Sequence, residues 1–362
     1  MMSGTGSLIG PYQKYAFSNA RVRAMKSLLL DDSTLYGLIP VTSVTAMVEL
    51  LQKTTYREEF GASSSLFSGR SLLEYAISMN FAKTVSKLLR LTPATDRQLI
   101  AALLARFDLL NLKTIIHAKR LGKTYAQIRS TLFPVGGLSD DDLQRIYRSE
   151  EHSLMNEVSR TKFGSFISNS SSGARKDGVN VFRSALKSYV SFMEHESDLD
   201  AALYAMIDSS LSSYGLQLAH IRTVLKKEID IKNVLIVERL KKLGFDQAKV
   251  KKTLIRGGLL SETFFMKLFD SRDQSTTLSL LKPYFGSLDL SASDGPISLE
   301  MALDRYIAAE KLRAFSRSVF SAGVIAGFIF LKENEVSNLR KIAISKEFSL
   351  PTEKVKEMIV VV

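Results

Sequence analysis

One helical hairpin is written three times in this chain. "DLLNLKTIIHAKRLGKTYAQIRSTL" (Asp108–Leu132) aligns without a gap on "DIKNVLIVERLKKLGFDQAKVKKTL" (Asp230–Leu254), at an offset of 122 residues. A third copy follows when Asn338 is placed on Asn111, an offset of 227, and it too needs no gap over Asn338–Ile359. The matching columns are Leu109/Ile231/Val336, Leu112/Val234/Leu339 and Ile115/Val237/Ile342. Their spacing of three places them on one helical face. After a turn come Ile128/Val250/Val355 and, four residues on, Leu132/Leu254/Ile359. The pattern predicts two short amphipathic helices per copy.

The turn signals differ in letter and agree in role. Gly122 and Gly244 stand where glycine C-caps end a helix. Thr124 with Gln127 fits a capping box, Asp246 is an N-cap, and Pro351 suits a first helical turn. Asn111, Asn233 and Asn338 form a polar column beside the apolar stripe. A half-buried amide must find hydrogen-bond partners, so the expectation is a structural Asn bound to loop backbone.

The repeat extends upstream. "LLEYAI" (Leu72–Ile77) lies over "SLEMAL" (Ser298–Leu303), and "VFRSALKSYV" (Val181–Val190) is the expected middle counterpart, displaced by an insertion. The insertion is "GSFISNSSSGARKDG" (Gly164–Gly178), read as an exposed Ser-rich loop, 164–178. "GGLS" (Gly136–Ser139) and "GGLLS" (Gly257–Ser261) punctuate the copies. Three helical repeat domains are therefore expected, at 1–135, 136–258 and 259–362. A period this long exceeds that of ordinary solenoid units, and each unit is large enough to hold a core of its own.

The composition agrees with an all-α reading. Of 362 residues, 45% are hydrophobic, and only 7 are Pro, so helix breakers are few. The absence of Cys excludes disulfides and thiolate metal sites. The longest uncharged runs are Ser33–Val48 and Ser318–Leu331. The first holds Pro40, and the second falls short of a membrane span, so it reads as a buried core helix. The N-terminus lacks the charged and apolar regions of a signal peptide.

Little chemistry is marked. "LGKT" (Leu121–Thr124) resembles the end of a phosphate loop, but His117 stands where the leading glycine is needed, and a helix precedes it. "GTGSLIG" (Gly4–Gly10) misplaces the last glycine of a dinucleotide fingerprint. His117, His152, His195 and His220 have no metal-ligand spacing. No catalytic, cofactor-binding or metal-binding residue is assigned, and no cofactor is expected. The net charge is +12, and Arg222–Gly258 holds 11 basic and 4 acidic residues. Such a balance suits a solvated helix face, an anionic surface or an acidic partner. A basic helical nucleic-acid-binding protein stays open as the alternative class, weakened because Glu353 and Glu357 occupy the third hairpin's second helix.

Three separated segments carry a family resemblance. "YAFSNARVRAMKSLLL" (Tyr15–Leu30), "LIAALLARFDLLNLKTIIHAKRLG" (Leu99–Gly122) and "KENEVSNLRKIAISKEFSLPTEKVKEMIV" (Lys332–Val360) resemble the C subunit of archaeal A-type ATP synthases, whose eukaryotic relative is the d subunit of V-type ATPases. The resemblance implies three similar domains in a pseudo-threefold funnel. It implies a non-catalytic central-rotor subunit that couples the central stalk to the membrane proteolipid ring, for ATP synthesis or for ATP-driven ion transport. The implied partners are the proteolipid ring, the central-stalk subunits and other ATP synthase subunits, with no nucleic acid. The implied location is peripheral, at the cytoplasmic face of the cell membrane. "SAGVIAG" (Ser321–Gly327) departs from the proline-containing approach expected before the last hairpin.

Overall fold

The computed structural model describes residues 11–169, 176–193, 195–286, 288 and 296–361. Among them there is no β-strand, and no helix is long and apolar enough to cross a membrane. The Gly4–Gly10 segment lies outside the described residues.

Each hairpin is present, with a first helix longer than expected. These helices are α6 (Arg97–Arg120), α13 (Ala219–Lys242) and α18 (Ala322–Glu347), of 24, 24 and 26 residues. The short second helices are α7 (Tyr125–Ile128), α14 (Gln247–Thr253) and α19 (Thr352–Met358). The extra length lies upstream of the aligned segment. In α18 it comes from a run buried on every side from Ala322 to Lys332, which gives no one-sided stripe to read. The uncharged run is thus a core helix from Ala322 onward, with Ser321 as its N-cap.

The repeated columns have the burial that helical phase demands. Leu112, Val234 and Leu339 are each 0% exposed. The other four apolar columns are buried in all three copies. Each first helix also ends alike. The N–H five residues on bonds back in Lys123→Ala118 (2.9 Å), Phe245→Leu240 (3.1 Å) and Leu350→Ser345 (3.0 Å). The turn needs a left-handed residue, which is Gly122 (φ 64°), Gly244 (φ 73°) and, in the third copy, Ser349 (φ 49°).

The Asn column bonds loop backbone as expected, always 22 residues downstream. Asn233 donates to the Ile255 carbonyl at 2.8 Å and accepts from its N–H at 2.8 Å. Asn338 does the same with Val360, at 2.8 and 3.0 Å. A second clasp accompanies it in the first two copies. The buried Asp108 carboxylate accepts from the N–H groups of Gly137 (2.7 Å) and Leu138 (2.9 Å). Asp230 accepts from Leu259 (2.9 Å) and Leu260 (3.1 Å). A Cβ on Gly136 would stand 2.3 Å from Asp108, and one on Gly258 2.0 Å from Asp230. The punctuating glycines therefore let a linker backbone reach a buried carboxylate.

Packing runs across the thirds. Between the hairpins lie α8 (Asp140–Arg148), α9 (Leu154–Ser159), α10 (Lys162–Asn169), α11 (Lys176–Phe192) and α12 (Glu196–Ser212), and α6 packs on α8, α10 and α12. Likewise α13 packs on α15 (Glu262–Asp270) and α17 (Pro296–Arg317), which α16 (Gln274–Phe285) separates in sequence. The last hairpin turns back to the start of the chain, where α18 packs on α1 (Pro11–Met25), α3 (Val44–Leu51) and α5 (Gly69–Leu91). Asn19 and Ser321 exchange two hydrogen bonds, at 3.1 and 3.0 Å, across this closure. The thirds do not each hold a separate core. Leu112 and Leu339 share one continuous apolar cluster, and Val234 belongs to a second.

Two upstream expectations need correction. Within 164–178, residues 164–169 belong to α10 and 176–178 to α11, while 170–175 lie outside the described residues. Phe163 and Ile167, four apart and 1% and 3% exposed, anchor α10 despite the surrounding serines. "VFRSALKSYV" is helical within α11, but α12 is the helix that packs on α6 and α13. Its Leu203 lies 122 residues after Phe81 and lines the same concavity as Phe81 and Ile307.

Candidate functional site

Two residues upstream of the aligned segment, a charged column of the repeat closes on itself. Arg106, Glu228 and Glu333 occupy one position in α6, α13 and α18, and their side chains meet. Arg106 reaches Glu228 at 3.2 Å and also pairs with Glu333. Lys311 of α17 completes the set, 2.7 Å from Glu228 and 3.6 Å from Glu333. Arg106 and Lys311 also lie over the Phe330 ring, at 5.1 and 5.5 Å. Burial opposes ionisation of both carboxyls, and they part company. Lys311 and Arg106 outweigh burial at Glu228 and hold it well below the usual carboxylate range. At Glu333 burial, with Glu228 beside it, wins and the pKa is raised. Two anions facing two cations satisfy one another at low exposure, the condition for tolerating buried charge.

Above this floor the three helices wall a concavity of about 850 Å³. Successive columns climb it: Leu109/Ile231/Val336, then Leu110/Lys232/Ser337, then Lys113/Leu235/Arg340, with Arg239 and Ile344 higher still. One helical turn beyond Arg239 and Ile344 come the hairpin tips. There Leu121, Leu243 and Phe348, again one column, are 70%, 65% and 70% exposed.

Most cations in the wall are matched within the chain. Lys113 reaches Asp200 (2.7 Å) and Glu196 (3.0 Å), and Lys341 reaches Asp304 (2.7 Å). Arg340 reaches Glu74 at 2.7 Å and stacks 3.9 Å from the centre of the Phe133 ring. Such a surface offers apolar contact and charge and no marked nucleophile.

A second buried polar set joins the ends of the chain. Tyr56 donates to Glu335 (2.5 Å), Lys332 donates to Tyr56 (3.0 Å) and pairs with Glu335, and the Leu30 N–H donates to Glu335 (2.5 Å). Glu335 stands in the Asp108/Asp230 column and trades the linker clasp for a clasp on the N-terminal segment. Burial raises the Tyr56 pKa well above its ordinary value. The set reads as an anchor. Among the described residues no group of three His, Asp or Glu side chains is placed to hold a metal. The four histidines are not brought together; His117 bonds Tyr189 (2.7 Å), and His195 bonds Asp198 (2.8 Å).

The Asn column was legible as structural. The Arg106/Glu228/Glu333 column was missed, although opposite charges in one aligned column were the available signal.

Comparison with known proteins gives a single family. The model of the ATP synthase (C/AC39) subunit family matches residues 18–358. The A-type ATP synthase C subunit of Haloferax volcanii is 28% identical, covering 99% of this chain and 100% of the relative. The C subunit of the Methanosarcina mazei enzyme is 26% identical over 96% and 93%, and that from Methanocaldococcus jannaschii 23% over 96% and 86%.

Proposed function

The chain belongs to the ATP synthase (C/AC39) subunit family and is a subunit of an A/V-type ATP synthase rather than a catalyst of its own, and from that premise we propose that it is the adaptor between rotor shaft and membrane ring. The concavity receives the end of the central stalk. The opposite face rests on the proteolipid ring, which makes the chain peripheral, at the cytoplasmic face of the membrane. Three helical units, 1–135, 136–258 and 259–362, are the units of duplication and form a pseudo-threefold funnel.

One observation carries the reading: the concavity is walled by the same columns of three repeats, converging on the Arg106–Glu228–Glu333 contact. A socket built from one element three times presents a round wall to a shaft on its axis. Torque transmission needs a stiff socket, and two features supply it. The core cluster runs from the N-terminal helices through to α18 and α19, and close-packed interiors resist compression. The ends of the chain are also tied together through Glu335 and Asn19. The basic balance adds attraction for an anionic membrane surface, about 1 kcal/mol per cation close to it.

The test is affinity purification of the tagged chain from detergent-solubilised native membranes. Co-elution with both central-stalk and proteolipid subunits is expected. Elution with neither would overturn the proposal.

A further inference from the structure

The walls of the concavity repeat in shape but not in charge. At the level of Lys232 the other two walls carry Leu110 and Ser337, and the positions aligned with Arg239 are His117, which does not line the concavity, and Ile344. Lys232 and Arg239 are both exposed and lie seven residues apart on α13, with Leu235 and Ile236 between them. That spacing sets all four on one face of the helix, turned to the concavity.

These two cations differ from the rest of the lining. Arg106, Lys113, Lys311, Arg340 and Lys341 each reach a carboxylate of this chain. Among the described residues Lys232 has no carboxylate at ion-pair distance and donates instead to the Tyr204 hydroxyl (3.0 Å), and no ion pair or side-chain hydrogen bond is found for Arg239. The surplus positive charge of the lining therefore sits on one wall of three.

We propose that Lys232 and Arg239 form a charged key on the α13 wall, which accepts a shaft tip carrying an apolar ridge flanked by carboxylates and fixes it in one of three rotational registers. The inference rests on the adaptor reading above and names what that reading leaves open. Apolar contact is non-directional, so the accessible apolar lining, Leu110, Leu235, Ile236 and Ile344, does not by itself fix the register of the ridge. Charge complementarity sets register, because a misplaced carboxylate meets no cation and a misplaced cation loses its partner. A shaft turning under load needs such an index if it is not to slip by a third of a turn.

The natural absence of cysteine makes the test clean. Leu121→Cys, Leu243→Cys and Phe348→Cys each place a unique thiol on one exposed tip. Each variant is labelled with benzophenone maleimide, assembled into the intact complex and irradiated, and the cross-linked stalk peptides are mapped by mass spectrometry. A key predicts three separate peptide sets, one per tip. Lys232→Glu/Arg239→Glu in the same backgrounds merges the sets and weakens stalk retention at least ~10-fold at moderate salt, as like charges are brought together. Lys232→Gln/Arg239→Gln preserves the first readout if the reversal does not assemble. Identical sets from all three tips overturn the key, as do separate sets that both double variants leave unchanged. No stalk peptide from any tip overturns instead the docking on which the key rests.

Discussion

Asn111 and Phe133 exchange two hydrogen bonds: the amide Nδ2 donates to the Phe133 carbonyl at 2.6 Å, and Oδ1 accepts from its N–H at 2.8 Å. The Asn side chain thereby stands in for a backbone partner where the chain leaves the second helix. Asn111 is 1% exposed, so neither group of Phe133 has water to fall back on. Asn111→Ala strands both and should cost roughly 1–3 kcal/mol, the penalty of burying unsatisfied polar groups. Asn233→Ala and Asn338→Ala should cost similar amounts. Urea unfolding of the three single variants checks this, and a loss confined to one copy would contradict the equivalence.

Arg106 faces two carboxylates at low exposure. Arg106→Met leaves Glu228 and Glu333 sharing Lys311 alone and should destabilise by about 3–5 kcal/mol, the usual result of removing one partner from a buried ion set. Replacing Arg106, Glu228, Glu333 and Lys311 together by apolar residues of like volume should cost much less. Salt should change neither result greatly, since buried pairs are weakly screened. Guanidinium is therefore unsuitable as an ionic control, and urea melts with and without added chloride are the appropriate measurement.

Burial pushes the Asp108 carboxyl up to about 7, against the lowering effect of the Gly137 and Leu138 N–H groups and with a small upward push from Asp142. Among the described residues no cation is paired with it. The native state therefore holds a proton that the unfolded chain has released above about 3.9. The sign follows: the native protein binds more protons between pH ~4 and ~7, so stability from this group falls as pH rises through that window. Asp230, raised by burial, adds in the same direction. Asp108→Asn should flatten the decline, so the wild type loses stability relative to the variant between pH 5 and pH 8. Thermal unfolding across that range tests it, and parallel profiles would contradict it.

Ser349 fills the left-handed position that Gly122 and Gly244 fill in the other copies, at φ 49°. A side chain there costs roughly 1–2 kcal/mol, and glycine returns part of that gain as unfolded-chain entropy. Ser349→Gly should stabilise by about 0.5–1 kcal/mol, read as a higher urea midpoint at unchanged slope.

What could be read beforehand was what repeats at helical spacing. Leu112, Val234 and Leu339 sit in phase on three helices, and their burial followed from that phase alone. Gly122 and Gly244 gave the turn, because few residues tolerate its backbone. The closure of the chain was not legible. Tyr56 and Glu335 are 279 positions apart and leave no periodic trace. The Arg106 column stayed hidden because charges on a helix ordinarily mark a solvated face, and only the meeting of three helices makes them interior. α10 was obscured because its two anchors, Phe163 and Ile167, are set among serines and glycine. The concavity needed all three repeats in place before any of its walls faced another.

The central claim is that this chain joins shaft to ring. Membrane vesicles from cells lacking it test that directly, with ion-driven ATP synthesis and ATP hydrolysis measured side by side. Synthesis should vanish while the catalytic head continues to hydrolyse ATP without moving ions, and adding back the purified chain should restore coupling. Synthesis at the normal rate in vesicles without the chain would contradict the claim.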